Sequence, residues 1–200
     1  MTITVYGTST SGNCHKVRLV LDITGRLYAW REIDVLRGET RTPEFLRLNP
    51  NGKVPVVVLD DGTALPESNA ILWYFGEDTA LIPGDRLQRA RMLQWMFFEQ
   101  YSHETAIAVA RFIRAFQRRP DDPRLPDLLA RGHRALGVME QHLADHDYFA
   151  GDRLSLADLT LFAYTHVAED GGFDLASYPS VREWLARCLS EPGVSVMPSP

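Results

Sequence analysis

The stretch "LNPNGKVPVVVLDDGTALPESNAIL", residues 48–72, decides the fold of this chain. Two β-rich runs flank its Asp-Asp-Gly turn, a pattern that predicts a β-hairpin. Pro55 stands at the entry of the first run, where a proline lies on a sheet edge or turns the chain sharply, with the cis form available. That geometry leaves the backbone N–H and C=O of Val54 available to bind an extended peptide as one more strand.

A cluster of polar residues follows the hairpin at the start of a predicted helix. Glu67, Ser68 and Asn69 stand where helical N–H groups gather and where a carboxylate is stabilised. This position predicts a site for an anionic group of a ligand. The alternative is that Ser68 or Asn69 only caps its own helix.

The residues before the hairpin alternate between strand and helix signals. "ITVY" at 3–6 predicts a buried strand, residues 14–24 a helix, and "YAWREIDV" at 28–35 a second strand. "TPEFLRLNP" at 42–50 predicts a short helix that a proline stops. Strands and helices that alternate and end in a hairpin predict a small α/β layer.

The chain changes character after "IPGD" at residues 82–85. The run from 85 to 119 contains no Gly or Pro and predicts a long helix, and the leucine-rich stripe of 125–143 predicts another. We therefore expect an α/β domain at residues 1–79, a linker at 80–85 and an all-helical domain at 86–200.

A further helix start is indicated by "LSLADLTLFAY" at residues 154–164. Ser155 and Asp158 stand three residues apart, the spacing of a capping box in which each side chain accepts from the backbone N–H of the other. We expect this capping role for Asp158 in preference to a role as a catalytic acid.

Composition restricts the function classes. The 45% of hydrophobic residues in 200 is enough for a packed core, and the net charge of -5 opposes binding to nucleic acid or to an anionic membrane. The chain has no apolar run of about eighteen residues and no secretory leader, so we expect a cytoplasmic protein. Cys14 and Cys188 lack metal-binding spacing, and we expect reduced thiols and no metal.

Together these motifs resemble the cytosolic glutathione transferase family. The matching features are a serine-rich helix entrance, "NPNGKVPV", "LPESNAILWYF" and "LSLADLTLF", in that order along nearly the whole chain. The resemblance is to bacterial, serine-type members similar to the theta, zeta and nu classes. It implies an α/β thioredoxin-like N-terminal domain followed by an all-α C-terminal domain, glutathione as co-substrate, a role in detoxification and a homodimer.

The resemblance assigns the parts of glutathione to residues of the hairpin region. Val54, before a cis Pro55, would pair with the cysteinyl backbone of the tripeptide. Glu67 and Ser68 would hold its γ-glutamyl carboxylate and amine. These assignments place the glutathione site in the α/β domain.

The resemblance also indicates which residues would contact the glycyl end of glutathione, with one difference from the family pattern. Lys53 would lie near that end. Family members often carry a His or Gln there, close to the position of Thr40, whereas this chain has Thr40 and Arg41. The sequence does not say which of these residues replaces the usual contact.

The helix entrance "TSTSGNCHKVRLVL", residues 8–21, has the groups needed to ionise a thiol. A free thiol has a pKa of about 8.5, and lowering it by roughly two units requires about 2.7 kcal/mol. Hydrogen bonds to a charged sulfur, aided by a helix N-terminus, are of that magnitude. By register with the family, Ser11 is the expected donor and Asn13 the second.

Other residues compete for this role. Ser9 and Thr10 are hydroxyls next to Ser11, and Tyr6 lies close to where tyrosine-type classes place their catalytic hydroxyl. Ser11 or Thr10 could also serve only as an N-cap. The sequence leaves these alternatives open.

The same stretch argues against thiol chemistry by the protein itself. Thioredoxin-fold oxidoreductases carry Cys-x-x-Cys at this entrance, and here Ser11 occupies the first position and Cys14 the second. We expect Cys14 to be a packed apolar residue. Glutathione-dependent reduction of disulfides or peroxides is the alternative function, and a binding module of the same fold without catalysis is the second alternative.

The second-substrate pocket is expected to lie along the first long helix. Tyr101 and His103 are the predicted contacts for a small hydrophobic electrophile, against the alternatives that Tyr101 is a core residue and that His103 is an ordinary surface residue. His142 and His146 stand four residues apart without a third ligand, and we expect them to be exposed rather than metal-bound.

Overall fold

The computed structural model describes residues 3–199 and divides them into two compact units. The first unit contains the chain as far as Thr79 together with Met197–Ser199, and the second contains Ala80–Val196. The expected α/β domain followed by an all-helical domain is confirmed.

The unit boundaries differ in two places from the expected ranges. The predicted linker, residues 80–85, groups with the helical unit, where the C=O of Leu81 accepts from the N–H of Leu156 at 3.0 Å. Residues 197–199 group with the α/β unit, and the side chain of Met197 is buried.

A mixed sheet of four strands forms the centre of the α/β unit within the described part of the chain. The strands are β1 Ile3–Gly7, β2 Tyr28–Glu32, β3 Val56–Val58 and β4 Ala64–Pro66. They lie in the order β2-β1-β3-β4, and β1 runs parallel to β2 and antiparallel to β3. β3 and β4 form the predicted hairpin. A parallel pair needs a long crossover, which here contains α1.

The helices of this unit are α1 Gly12–Ile23, α2 Pro43–Leu48 and α3 Ser68–Gly76, with a short 3-10 helix at Glu39–Arg41. α1 and α3 pack against each other. Five of the first six residues of α1, all except Asn13, are buried, so the helix is covered from its first turn onward. This packing brings the N-termini of α1 and α3 into the same region of the unit.

The predicted long helix of the second unit is helical throughout but contains two π-helical segments. α4 spans Arg86–Phe98 and α5 spans Glu104–Arg111, and the π segments are Glu99–His103 and Phe112–Phe116. Each π turn contains an extra residue compared with an α turn and so rotates the following side chains about the axis. Both ends of the first segment, a glutamate and a histidine, are buried.

Three further α-helices belong to the helical unit: α6 Leu125–Leu143, α7 Leu156–Thr165 and α8 Pro179–Ser190. Short 3-10 helices at Ala168–Gly171 and Leu175–Ser177 lie between α7 and α8. Every residue of α7 is buried, so this helix forms the centre of the unit. Within residues 3–199, no helix is both long and apolar enough to cross a membrane.

The start of α7 has the predicted capping box. Asp158 accepts from the backbone N–H and the hydroxyl of Ser155 at 2.9 and 2.7 Å. It also accepts from the N–H of Phe149 at 3.1 Å and from the indole of Trp184 at 3.0 Å. Burial raises the pKa of Asp158, and these hydrogen bonds oppose that effect. The carboxylate therefore joins α7 to its surroundings, as expected for a structural residue.

Candidate functional site

Ser11 begins α1. Its backbone is extended, and its Oγ accepts from the N–H of Cys14 at 3.5 Å. A hydroxyl that accepts through a lone pair keeps its proton available for donation. Capping and donation to a ligand are therefore compatible at Ser11. The partial positive charge of the helix N-terminus favours an anion beside this hydroxyl.

Neighbouring hydroxyls are already bonded elsewhere. Thr8 donates its hydroxyl to the C=O of Ile33 at 2.7 Å, and Ser9 donates to Oε1 of Glu32 at 3.1 Å. The hydroxyl of Tyr6 accepts from Arg31 at 3.4 Å, and its side chain packs against a core cluster that includes Ile33. The hydrogen bond that Ser9 donates favours Ser11 over Ser9, whereas Thr10 and Tyr6, whose hydroxyl accepts and keeps its proton, stay alternatives.

The carboxylate of Glu32, the last residue of β2, forms hydrogen bonds with the loop before α1. Oε1 of Glu32 also accepts from the backbone N–H of Ser9 at 2.8 Å, and Oε2 accepts from the indole of Trp30 at 2.6 Å. The guanidinium of Arg18 lies over the Trp30 ring, 4.4 Å from its centroid. Our sequence reasoning missed Glu32. The signal was available, because parallel pairing of β1 with β2 places Glu32 beside Gly7, where the loop begins.

Asn13 connects the two helix N-termini of the α/β unit. Its Oδ1 accepts from Nζ of Lys16 at 2.8 Å and from the hydroxyl of Ser68 at 3.1 Å. Lys16 is a second residue that sequence reasoning did not assign to the site. Its spacing of three from Asn13 on one helix face was the available signal.

Cys14 is buried, as predicted. Its Sγ accepts from the N–H of Thr8 at 3.4 Å. Burial raises the pKa of Cys14 to about 11, and the hydrogen bonds from Ser11 and Thr8 only partly offset this. A thiol with this pKa is protonated at neutral pH and is a poor nucleophile.

The residues predicted to bind an extended peptide precede β3, which is an inner strand paired with both β1 and β4. The Val54–Pro55 peptide bond is cis, as the sequence allowed. Paired residues of β3 begin at Val56, so Val54 precedes the ladder, and its side chain packs against the core cluster of Ile33, Phe45 and Val56.

Glu67 adopts an unusual backbone conformation directly before α3. Its φ of 71° lies in the region that residues other than glycine rarely adopt, and the residue is exposed. Strained backbone of this kind clusters at active sites, ligand-binding sites and switch regions. Ser68, the first residue of α3, is buried.

The residues predicted for the glycyl end come from the short 3-10 helix Glu39–Arg41 and from the loop before β3. Lys53 is exposed, and its C=O accepts from the side-chain amide of Asn49 at 2.8 Å. Thr40 is buried, whereas Arg41 is exposed and donates to the C=O of Asn51 at 3.3 Å. Arg41 is therefore the one of the two whose side chain is accessible to a ligand.

The two predicted second-substrate residues lie in different environments. Tyr101 is 83% exposed and lines an open groove of the helical unit. His103 is 0% exposed, and its Nε2 lies 2.9 Å from the hydroxyl of Thr165. That hydroxyl donates to the C=O of Leu161 at 2.7 Å, so Nε2 is the donor towards it. A fully buried ring cannot touch a substrate in this conformation, and we remove His103 from the expected lining.

The other histidines that the sequence singled out belong to the helical unit. His142 and His146 stack with their ring centroids 4.2 Å apart, and each contacts a backbone carbonyl. His142 is only half-buried, and burial is the main cause that lowers its pKa. Within residues 3–199, no group of three or more His, Cys, Asp or Glu side chains could hold a metal ion.

Comparison with known proteins finds matches to both units of the chain. Residues 10–78 match the N-terminal domain of glutathione S-transferases, and residues 101–192 match the C-terminal domain. A solved glutathione S-transferase from Xanthobacter autotrophicus Py2 is 48% identical, with a TM-score of 0.96 over 99% of this chain and 98% of that one.

Two more distant relatives are informative about chemistry. The disulfide-bond oxidoreductase YfcG of Escherichia coli K12 is 28% identical over 90% of this chain and 87% of its own length. A glutathione transferase from Burkholderia graminis, solved with two glutathione molecules per subunit, is 29% identical. Its TM-score is 0.83 over 96% of this chain and 85% of that one.

Proposed function

The chain belongs to the glutathione S-transferase family, and from that premise we propose that it ionises bound glutathione at the N-terminus of α1 and directs the sulfur at a small electrophile. Ser11 and Asn13 donate to the thiolate. Val54, before Pro55, pairs with the cysteinyl backbone of the tripeptide.

The two ends of glutathione have separate contacts in this proposal. Glu67 and Ser68 bind the γ-glutamyl group at the start of α3. Lys53 binds the glycyl carboxylate, and the exposed guanidinium of Arg41 is the proposed replacement for the usual His or Gln.

One observation carries the proposal. The hydroxyl of Ser68 donates to Oδ1 of Asn13, so the proposed γ-glutamyl site and the proposed thiolate site are one hydrogen bond apart. A single tripeptide can therefore contact both helix N-termini, each of which favours an anion. This juxtaposition supports glutathione in preference to a smaller thiol.

The conjugation reaction follows from the ionised sulfur. Glutathione loses its thiol proton to water, and the thiolate forms a bond to an electrophilic carbon. The electron pair of the broken bond leaves with the departing group, or the adduct takes up a proton. Ser11 and Asn13 contribute by stabilising the anion that attacks.

Reduction of disulfides is the second candidate, favoured by the relationship to YfcG. Glutathione thiolate attacks a disulfide, forms a mixed disulfide and releases one thiolate. A second glutathione then displaces the other thiolate and yields oxidised glutathione, so two electrons pass to the substrate. The released thiolates take up the two protons that the glutathione molecules lost. The two glutathione molecules in the Burkholderia graminis subunit are consistent with this stoichiometry.

The sulfur that reacts is that of glutathione in both candidates. Cys14 is buried and protonated at neutral pH, and Cys188 is also buried, with a pKa that burial raises. Neither thiol of the protein is suited to thiol–disulfide exchange.

The remaining proposals rest on the family relationship. We propose that Tyr101 contacts a small hydrophobic electrophile, that the protein forms a homodimer, and that it acts in detoxification in the cytoplasm. The exposed aromatic ring of Tyr101 supports the first of these.

Calorimetric titration of the reduced protein with glutathione, and then with oxidised glutathione, tests the proposal. Binding of glutathione accompanied by proton release supports an ionised nucleophile. Tighter binding of oxidised glutathione, with turnover of a small disulfide, favours the reductase. Binding of neither compound contradicts both and favours a non-catalytic module.

A further inference from the structure

The N-terminal half of α1 contains a lysine whose side chain has no exposed surface. Lys16 is 0% exposed, and its Nζ donates to Oδ1 of Asn13 at 2.8 Å. Lysine is rarely withdrawn from water in this way unless polar groups hold it. The other lysine of the chain, Lys53, is exposed as usual. Lys16 therefore has a more specific role than covering the surface of a helix.

The contact with Lys16 determines how the amide of Asn13 is oriented. An asparagine amide has an acceptor oxygen at one end and a nitrogen with two donors at the other. A lysine ammonium donates and cannot accept. Rotating the amide by half a turn would place two sets of donors against each other, so Oδ1 must face Lys16. Ser68, which donates to the same oxygen at 3.1 Å, reinforces this orientation.

The fixed orientation makes the other end of the amide a hydrogen-bond donor. A carbonyl oxygen presented to a thiolate would repel it, whereas an N–H group stabilises it. The side chain of Asn13 is half-buried at the first turn of α1, next to the cap residue Ser11. Its donor end thus belongs to the same helix entrance as the Ser11 hydroxyl.

We propose that Lys16 is a positioning residue that makes Asn13 an obligatory donor to the sulfur of bound glutathione. This inference rests on the proposed function. The thiol loses its proton to water, and Nδ2–H of Asn13 donates to the sulfur, which keeps the electron pair. Ser68 couples this arrangement to the γ-glutamyl end, because its hydroxyl holds the same oxygen as Lys16 does.

A double-mutant cycle with a spectroscopic readout tests the inference. The thiol pKa of bound glutathione is measured from thiolate absorbance against pH in the wild type, Lys16→Met, Asn13→Ala and the double variant. Lys16→Met preserves side-chain length and removes the donor. We expect Lys16→Met to raise the thiol pKa by about one unit. At a pH well below the pKa, this shift lowers the thiolate fraction of bound glutathione about tenfold.

The double variant decides whether Lys16 acts through Asn13. We expect Asn13→Ala to raise the thiol pKa at least as much as Lys16→Met, and the double variant to equal Asn13→Ala. An unchanged pKa in Lys16→Met overturns the inference. So does a shift from Lys16→Met that persists undiminished when residue 13 is already alanine, since it would indicate a direct effect of the lysine.

Asn13→Asp keeps the test decisive if Lys16→Met fails to fold. The aspartate has the same shape and accepts from Lys16 and Ser68, but it has no N–H to donate. We expect it to raise the thiol pKa at least as far as Asn13→Ala does, and a wild-type pKa would overturn the inference. Lys53→Met is the matched control, expected to weaken glutathione binding without moving the thiol pKa.

The outcomes separate this inference from the proposed function. A wild-type protein that neither binds nor ionises glutathione contradicts both. A wild-type protein that ionises glutathione, with no pKa shift in Lys16→Met or Asn13→Asp, contradicts this inference alone.

Discussion

The carboxylate of Glu32 accepts two hydrogen bonds from Ser9, one from the backbone N–H at 2.8 Å and one from the hydroxyl at 3.1 Å. Strand β2 thereby holds the loop that leads into α1. The position of Ser11, two residues further on, depends on this anchor. Positional errors of about 1 Å at a catalytic group can reduce rates by about a hundredfold.

Glu32→Ala is accordingly expected to lower turnover several-fold while glutathione still binds. The loss follows from a looser loop before α1. Steady-state kinetics with a standard electrophile measure it. Glu44→Ala is the control, because Glu44 is exposed and only pairs with Arg47 at 3.5 Å, a contact of little energetic consequence. Equal turnover in the two variants would contradict a positioning role for Glu32.

The hydroxyl of Ser11 is testable separately from its capping function. Ser11→Ala removes both the cap and the donor, whereas Ser11→Gly retains most of the capping stability. If the hydroxyl donates to the thiolate, both variants lose turnover by about tenfold or more, since such a bond is worth about 1.5 to 3 kcal/mol. Wild-type turnover in Ser11→Gly would transfer the role to Asn13, Thr10 or Tyr6.

Removing Cys14 is expected to leave catalysis intact. Cys14→Ala eliminates the thiol of the helix entrance but not the backbone N–H that Ser11 caps. We expect glutathione-dependent turnover within about twofold of wild type and a stability loss of about 1 kcal/mol from the smaller side chain. A disulfide-reductase assay in parallel is the critical measurement. Complete loss of that activity would mean that the sulfur of the protein takes part.

Asp158 is expected to be among the most important polar residues for stability. Asp158→Ala leaves buried donors of Ser155, Phe149 and Trp184 without their acceptor, so the unfolding free energy should fall by about 3 kcal/mol or more. Urea denaturation measures the difference. Asp152→Ala, an exposed aspartate, should change stability by less than about 0.5 kcal/mol.

Asp122 is expected to make the free energy of unfolding depend on pH in the acid range. Hydrogen bonds and the charge of Arg124, together with Arg119, lower the pKa of Asp122 in the folded protein. A lowered folded pKa contributes stability above the unfolded pKa, near 4, and that contribution is lost as the pH falls towards the folded value. Asp122→Asn should therefore lower the melting temperature at pH 7 but much less in strong acid. The exposed neighbour Asp121, changed to Asn, should show no such difference.

Much of the fold could be predicted from local patterns. The hairpin around residues 56–66, the capping box of Ser155 and Asp158 and the helix at Ser11 are each determined by a few adjacent residues. Their physical causes are turn geometry and satisfaction of backbone groups, which neighbouring side chains decide.

The parts that the sequence did not reveal depend on distant contacts. Glu32 reaches Ser9 across 23 residues, and Ser68 reaches Asn13 across 55. The burial of His103 depends on Thr165 of another helix, and no local pattern distinguishes it from a surface histidine. The π segment at Glu99–His103 interrupts a run with ordinary helical composition.

The unequal exposure of the two lysines has a practical consequence for labelling. Lys16 is buried and Lys53 is exposed, so an amine-reactive dye would modify Lys53 as the accessible lysine side chain of the folded protein. A fluorophore there would stand beside the proposed glycyl end of glutathione. Acylation removes the charge that would bind the glycyl carboxylate, so bound glutathione should slow the labelling of Lys53, and the rate of dye incorporation would report ligand occupancy without a new cysteine.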